Sequence, residues 1–430
     1  MYRIMNRGDK VDYKVIDKTS YKLHLIKTNK FKTMTIRICF RDEIKKDEIT
    51  LRNFLASFMT YSTGTYKTKR DLILKTQDLY AASIYNRSYR SGRYSVFNFY
   101  LSFLDEKYTE KGMLNSSLEL LSDVIFNPNF DEESSKEAYS YLMETATKKL
   151  ESIKENGNNY SVIRMFEEMD KDMPYSYRDV GYLEDLKNIS INSLKEYYKK
   201  VINSSLIDIY IIGDIDKSIG EKIEKYFPFN TYKHNKVDQI IYHEKMPKRS
   251  KTIKENDNNN QSKLSIGCKI DALTEFERNY VLTLYNMILG SGSESKFFQI
   301  IREKNSLAYY VYSSLNKLDS LMIIRAGIAK ENFDMTVKLV KDLMKEMENG
   351  KFSEEDINVA CENYISMLSE IEDNPDAIVE TYLAKDLLNL GDIEERKEEI
   401  RKVTKEDIIN ISKKVKIDTI FLLEGDGQLE

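Results

Sequence analysis

The chain of 430 residues is longer than a single hydrophobic core usually supports, so two domains are expected. Its 66 Lys and Arg residues nearly balance its 70 Asp and Glu residues, and the net charge of -4 excludes a strongly basic protein of the nucleic-acid-binding kind. The distant cysteines Cys39, Cys268 and Cys361 argue against a disulfide framework, and the lack of an apolar signal or membrane-spanning run favours a soluble cytoplasmic protein.

The first half of the sequence predicts strands and helices in alternation. Residues 23–27 and 33–40 indicate a hairpin, because apolar and polar residues alternate in the second run as they do in a half-buried strand. Two further strands are expected at 96–103 and 207–212. Helical patterns are found over residues 49–61, from residue 69, and over residues 112–125, 132–153 and 185–201.

A polar segment separates the two halves. Residues 227–262 contain few apolar residues and many Asn, Lys and Asp residues, which is typical of a solvated linker. The sequence therefore predicts an N-terminal domain at 1–226 and a C-terminal domain at 263–430, with a strand at 264–270 at the start of the second.

An ordered internal repeat relates these domains. Arg52-Asn53 begins an apolar helix in the first and Arg278-Asn279 begins one in the second, an offset of 278 − 52 = 226 residues. LYAASIY from Leu79 and LAYYVY from Leu307 follow at an offset of 307 − 79 = 228, and IDIYIIGD and IDTIFLLEGD close the copies. We therefore expect an α+β fold of two homologous domains, each an antiparallel sheet covered by helices.

Metal ligands are scarce in this sequence. The three histidines, His24, His234 and His243, lack the spacing of three or four residues that places two imidazoles on one helical face. A structural role is the stronger interpretation for each of them. Gly290-Ser291-Gly292 follows a helical pattern instead of a strand, so it does not predict a nucleotide site.

The stretch from Gly290 to Tyr312 is the richest in chemistry. A helical pattern bearing Arg302 is followed by a turn at Asn305-Ser306 and an aromatic run that includes Tyr309. A guanidinium and a phenol that meet at such a corner can donate hydrogen bonds to a carbonyl oxygen that gains negative charge. Taken alone, the pattern favours a solvent-facing Arg and an ordinary core Tyr over such a site.

The longer context carries a family resemblance. QSKLSIGCKID from Gln261 and YNMILGSGSESKFFQIIREKNSLAYYVYSS from Tyr285 resemble the second homologous domain of the insulinase, pitrilysin and mitochondrial-processing-peptidase family of zinc metallopeptidases. PYSYRDVGYLEDLKNISINSLKEYY from Pro174 is similar to part of that family's first domain. The resemblance covers nearly the whole chain and implies that it forms half of a clamshell.

The resemblance also implies where zinc would be bound and shows that the ligands are missing. The family's first helix carries the inverted motif H-x-x-E-H, with a distant Glu as third ligand. The matching positions here are Asn53, Ala56 and Ser57, and Glu151, or alternatively Glu144, matches the third ligand. We therefore expect no metal cofactor in this chain.

The second half of the family's site is retained. Arg302 and Tyr309 match the Arg and Tyr that family members direct at the substrate backbone and the oxyanion. The resemblance thus implies a subunit that is inactive alone and supplies this pair in trans to a zinc-bearing partner in a heterodimer, or in a homodimer. The partner would hold the zinc, and the substrate would be a peptide.

Three alternatives stay open from the sequence. The chain could be a scaffold subunit that keeps the Arg-Tyr pair without using it. It could be a peptide-binding or maturation factor that acts alone. It could also be a peptidase with an unusual metal site, although the scarcity of histidines argues against that.

Overall fold

The computed structural model describes residues 11–230, 238–257 and 261–425. They divide into two compact units. The first unit contains the described parts of Met1–Glu151, Arg178–Val237 and Glu372–Val379, and the second contains those of Ser152–Tyr177, Asp238–Ile371 and Glu380–Glu430. Residues 152–177 and 372–379 thus belong to the unit built mainly from the other half of the chain, an exchange that a single division at residues 227–262 does not describe.

The sheet of the first unit has six described strands in the order β1-β2-β6-β3-β5-β4. Their bounds are β1 Asp12–Asp17, β2 Lys22–Lys27, β3 Thr33–Glu43, β4 Ser83–Ser91, β5 Tyr94–Leu104 and β6 Leu206–Gly213. The predicted hairpin of residues 23–27 and 33–40 is wrong, because β6 lies between β2 and β3 and pairs with both. Nearly every side chain of β6 is buried, so this strand needs a central position in the sheet.

The sheet of the second unit has five described strands in the order β7-β11-β8-β10-β9. They are β7 Lys251–Asn256, β8 Ser262–Ile270, β9 Ala308–Asn316, β10 Leu321–Ile328 and β11 Val415–Glu424. Apart from β1, the two sheets have the same topology: β7 is parallel to β11 as β2 is to β6, and β8, β10 and β9 follow as β3, β5 and β4 do. The α+β class with two homologous domains is confirmed, with one parallel strand pair in each otherwise antiparallel sheet.

Strand β7 corrects part of the predicted linker. Residues 251–256 of the segment 227–262 form an edge strand, whereas residues 231–237 and 258–260 lie outside the described residues. Ile253 alone of the side chains of this edge strand packs against a core cluster, one that includes Phe421. A strand with a single apolar contact has the composition of a linker, which explains the error.

The helices are α1 Ile49–Met59, α2 Lys69–Asp78, α3 Met113–Phe126, α4 Lys136–Glu151, α5 Gly157–Met169, α6 Ile191–Ser204, α7 Ile219–Tyr226, α8 Leu282–Leu289, α9 Phe333–Glu348, α10 Glu354–Ile371, α11 Pro375–Leu388, α12 Ile393–Ile400 and α13 Lys405–Lys414. Wider π-type turns form Glu277–Val281, directly before α8, and Phe297–Lys304. The single helix predicted at 185–201 is two elements, a short helical turn Leu183–Asn188 and then α6, because Ser190 and Ser193 form a capping box that starts a new helix.

The second sheet is covered on both faces, but unequally. One face packs on a large core that includes residues of α8, α9, α10 and α13. The other face meets α5, whose Tyr160 and Met165 lie in one cluster with Ile323 of β10 and Phe421 of β11. None of the described helices is long and apolar enough to cross a membrane.

Candidate functional site

Helix α1 carries the three positions predicted to match the zinc motif, and there Ala56 is buried while the partly buried Asn53 and Ser57 make hydrogen bonds within the fold. Ala56 is 1% exposed, so its position has no room for a solvated carboxylate. The Asn53 side-chain amide donates to the main-chain oxygen of Asp179 at 2.7 Å, and Ser57 Oγ donates to the main-chain oxygen of Asn53 at 3.2 Å. An amide, a methyl group and a hydroxyl that serve the fold do not form a zinc site.

The segment that follows α5 lies directly over the start of α1. Thr50 Oγ1 donates to Asp185 at 2.9 Å and accepts from the main-chain N–H of Tyr182 at 2.9 Å. Gly181 has a φ of +95°, and a Cβ at this position would lie 2.6 Å from Thr50 Oγ1. Glycine is therefore needed for this close approach.

The second unit repeats this arrangement around α8. Asn279 donates its amide to the main-chain oxygen of Leu388 at 3.0 Å, as Asn53 does to Asp179. In both asparagines the side-chain oxygen is buried without a hydrogen-bond partner. The predicted first zinc position is thus occupied by a residue with the same contact as its counterpart in the other repeat.

The preceding arginines are also equivalent. Arg52 donates to Ser95 at the start of β5, and Arg278 donates to Ser320, next to β10, at 3.0 Å. Burial lowers the pKa of both guanidinium groups, and each is nearly inaccessible to solvent. The Arg-Asn pair that marks the repeat in the sequence is therefore a structural feature of the helix and sheet packing.

The predicted third-ligand positions do not converge on a metal site. Glu151 is the last residue of α4 and is exposed, and Glu144 is exposed and pairs with Lys148 at 2.5 Å. That ion pair lowers the pKa of Glu144, which is the behaviour of a solvated surface pair. Neither glutamate has an imidazole beside it on α1.

The histidines have structural contacts where they are described. Both ring nitrogens of the buried His24 are engaged, Nδ1 with the Tyr13 hydroxyl at 2.8 Å and Nε2 with Asp208 at 3.1 Å. His243 Nε2 lies 3.1 Å from the main-chain oxygen of Ser320, and burial lowers its pKa. His234 lies outside the described residues.

The helix Phe297–Lys304 ends in a closure that holds Arg302 close to β9. The N–H of Ser306 donates to the oxygen of Arg302 at 3.0 Å, and the N–H of Leu307 donates to the oxygen of Ile301 at 3.0 Å. Ser306 has a φ of +51°, as expected at a left-handed helix cap. Each bond spans one residue more than in a common Schellman closure, in keeping with the π-type turn, a feature that is frequent at functional sites.

Tyr309 is the additional residue of a β-bulge. Tyr310 pairs with Gly327 and Ala308 pairs with Ile328, so Tyr309 has no opposite residue in β10. A bulge re-aims a side chain, and Tyr309 is 63% exposed although both of its neighbours pack against the sheet. The sequence shows the tyrosine but not the bulge, because nothing in LAYYVY marks which residue is unpaired.

Arg302 and Tyr309 are both available to a ligand. The guanidinium of Arg302 lies 4.7 Å from the centre of the Phe298 ring, and its Nε is 3.7 Å from Glu303, with the side chain 43% exposed. No other described residue makes a hydrogen bond with the Tyr309 hydroxyl. A cation and a phenol on successive elements can bind a peptide carbonyl, but their role as substrate contacts stays a prediction.

Sequence reasoning missed four residues beside this pair. Tyr310 and Tyr312 of β9 share one sheet face with Arg325 of β10 and Lys263 of β8. The alternation of tyrosines in AYYVYSS is a signal for two of them. The two cations could not be placed without the strand register.

Comparisons with known proteins agree with this fold. Residues 188–364 match the model of the peptidase M16 inactive domain. A protein of Bacillus subtilis named probable inactive metalloprotease YmfF is 28% identical over 408 residues, which cover 94% of this chain and 95% of that protein.

Two solved structures share the architecture. A conserved protein from Enterococcus faecalis superposes with a TM-score of 0.88 at 24% identity and covers 97% of this chain and 100% of that one. A peptidase M16 inactive domain from Pseudomonas fluorescens gives a TM-score of 0.78 at 15% identity, with 98% and 100% covered. At these identities the structures support the fold alone, while the sequence matches support the predicted family resemblance.

Proposed function

Because this chain is a peptidase-like protein of the M16 family whose motif positions Asn53, Ala56 and Ser57 offer no zinc ligands, we propose that it is the non-catalytic subunit of a heterodimeric processing-type zinc metallopeptidase. In this proposal a homologous partner with an intact H-x-x-E-H helix supplies the zinc and the general base. This chain completes the peptide-binding chamber and contributes Arg302 and Tyr309.

The exposure of Arg302 and Tyr309 is the observation that carries the proposal. Most polar groups at the motif helix have contacts within the fold, whereas the bulge at Tyr309 leaves its phenol in solvent. Tyr309 would donate a hydrogen bond to the carbonyl oxygen of the scissile peptide bond as negative charge develops there. Arg302, with several N–H donors in a fixed plane, would orient the neighbouring peptide backbone.

The edge position of β9 supports peptide binding next to this pair. β9 is the last strand of its sheet; the Ser313 N–H on its outer edge donates to the main-chain oxygen of Gly290 at 2.8 Å, and the rest of that edge faces no other described strand. A peptide that adds to this edge would be held through its main chain, a mode that tolerates many sequences. The alternative function, a peptide-binding or scaffold protein with no role in hydrolysis, uses the same edge and needs no partner.

Reconstitution with a zinc-bearing homologue tests the proposal. The two chains are mixed, the complex is isolated by size-exclusion chromatography, its zinc is counted by elemental analysis, and cleavage of a fluorogenic peptide is followed. We expect one zinc per heterodimer, none in this chain alone, and cleavage that requires both chains. Full activity of the partner alone, or stoichiometric zinc in this chain, would contradict the proposal.

A peptide-binding experiment on the isolated chain separates the alternative. Tight binding of an unfolded peptide without the partner, together with no effect of this chain on cleavage by the partner, favours the peptide-binding or scaffold role. Cleavage that appears only in the mixed complex excludes it.

A further inference from the structure

One corner of the second sheet is built from aromatic and cationic side chains. Tyr310 pairs with Gly327, Tyr312 pairs with Arg325, and Gly327 pairs in turn with Lys263, so these side chains share one face of β9, β10 and β8. The ring centres of the two tyrosines are 6.0 Å apart, and the Lys263 ammonium lies 5.8 Å from the centre of the Tyr310 ring. We call this group the tyrosine corner.

The tyrosine corner is fixed in place by its packing. Gly327 leaves space for the Tyr310 ring, because a Cβ there would overlap the ring. The Tyr310 hydroxyl donates to the side-chain oxygen of Asn158 at 2.6 Å, at the start of α5. Helix α5 covers the same sheet face further along, where Ser161 meets Ser265, and so forms one wall beside the corner.

The cations of the corner lack acidic partners. Arg325 Nη1 lies 3.5 Å from the Tyr312 hydroxyl, and its Nε is shielded from solvent without a hydrogen-bond partner. Lys263 donates to the side-chain oxygen of Gln261, which is neutral. Among the described residues, no carboxylate is within ion-pair distance of Arg325 or Lys263, whereas Arg164 on α5 pairs with Glu255.

The hydrogen-bonding capacity of the corner is mostly donor capacity. Arg325 and Lys263 can only donate, and the Tyr312 hydroxyl has a proton to give. A carboxylate is an acceptor-only group whose hydrogen bonds to a guanidinium are about twice as strong as those between neutral groups. The tyrosine rings would flank the methylene groups of an acidic side chain, so the corner fits Glu or Asp better than an amide of the same shape.

We propose that the tyrosine corner is a subsite for an acidic side chain of the bound peptide. This inference rests on the proposed function, since the peptide is taken to lie along β9. Tyr312 is three residues from Tyr309, which is about 10 Å in a strand at roughly 3.4 Å per residue. The acidic residue would therefore lie about three residues from the bond that Tyr309 contacts.

Binding of two matched peptides to the isolated chain tests the subsite. The peptides are fluorescently labelled, unfolded and identical except for one Glu or Gln, and their dissociation constants are measured by anisotropy at low salt. Three variants are compared with the wild type: Arg325→Met, the conservative Arg325→Lys, and Lys338→Met, which removes an exposed charge from α9 on the helix-covered side.

The expected result is binding of the Glu peptide about tenfold more tightly than the Gln peptide. Arg325→Met removes this preference, whereas Arg325→Lys keeps part of it and Lys338→Met keeps it in full. If Arg325→Met loses the native circular dichroism spectrum, Lys263→Met is used in its place and should weaken the preference.

Equal affinity for the two peptides, a preference that survives both Arg325→Met and Lys263→Met, or no binding of either peptide overturns the inference. These outcomes differ from failure of the proposed function. The mixed complex can cleave the Gln peptide through Tyr309 whether or not the corner selects Glu. A Glu preference in the isolated chain can equally be found when the complex cleaves nothing.

Discussion

Helix α1 and the corner at Arg302 to Tyr309 are the regions where the family resemblance predicts the two halves of one site, and they differ in how their polar groups are used. On α1, the side chains of Asn53 and Ser57 donate hydrogen bonds inside the fold, and Ala56 is buried. At the corner, Arg302 and Tyr309 are exposed although their backbone is tightly constrained.

The difference shows how a helix without metal ligands is held in the fold. Asn53 makes the contact that Asn279 makes in the other repeat, so α1 has the same anchor as the helix that carries α8. At the corner, a π-type helix and a bulge keep two side chains away from the packing. Phe297 and Ile301 of the same helix stay in the core, so the irregularity changes the direction of single side chains without loss of packing.

Restoring the family's acidic residue on α1 is expected to have the largest effect on stability. Ala56→Glu would place a carboxylate where the side chain is 1% exposed, and burial of an unpaired charge should cost on the order of 3 kcal/mol or more of the free energy of unfolding. Chemical denaturation measures the loss. Ser57→Glu, at a half-buried position on the same helix, is the control and should cost far less.

An Ala56→Glu protein as stable as the Ser57→Glu control would show that the motif face of α1 is open. In that case the contrast between a closed helix and an exposed corner would fail.

Replacing either of the equivalent residues Asn53 and Asn279 is expected to have a smaller effect on stability. Replacing either with Ala removes one hydrogen bond to a main-chain oxygen at 2.7 or 3.0 Å, and each change should cost about 1 to 2 kcal/mol. Hydrogen exchange of α1 and α8 measures the two losses separately. If Asn279→Ala lowers stability and Asn53→Ala does not, Asn53 is a relic and not an anchor.

Titration of Lys317, which contacts Asn279, is expected to have the smallest effect on stability. Lys317 donates to the main-chain oxygen of Asn279 at 2.8 Å, and burial, together with the cations of Arg396 and Arg278, lowers the pKa of Lys317 to about 7. In the unfolded chain the pKa of Lys317 has the ordinary value of about 10.4, so unfolding takes up a proton between about pH 7 and 10. The free energy of unfolding therefore rises with pH in this window, and the full cost of the buried charge is felt below pH 7.

Comparison of the wild type with Lys317→Met checks this sign. From pH 7 to pH 9 the wild type should gain on the order of 1 kcal/mol relative to the variant. Lys317 lies in the turn between β9 and β10. The corresponding turn of the first unit, between β4 and β5, contains Gly92 and Arg93 and no lysine. Parallel stability curves for the two proteins would show that Lys317 stays charged in the folded state.

Much of the architecture could be predicted because the sequence repeats. The Arg-Asn pairs and the closing strands were enough to indicate two related α+β domains, and the resemblance located the motif positions. Strand β7 was missed, although β2 precedes β3 by 33 − 22 = 11 residues and β7 precedes β8 by 262 − 251 = 11. A comparison of the two repeats strand by strand would have predicted a strand at the position of β7.

Other features depend on contacts that are distant in sequence. The order of β2, β6 and β3 could not be derived from alternation, because a strand from residue 206 onwards inserts between two that are neighbours in the chain. The anchor from Asn53 to Asp179 spans more than one hundred residues. The bulge at Tyr309 depends on the register with β10, which no local pattern contains.

The turnover of the mixed complex with Tyr309→Phe tests the central claim most directly. The change removes only the phenolic hydroxyl, and loss of one oxyanion donor should lower kcat about 100- to 1,000-fold. KM and the amount of complex recovered should not change, and Tyr108→Phe, at another exposed tyrosine, should match the wild type. Equal kcat for the Tyr309→Phe and wild-type complexes would contradict the account.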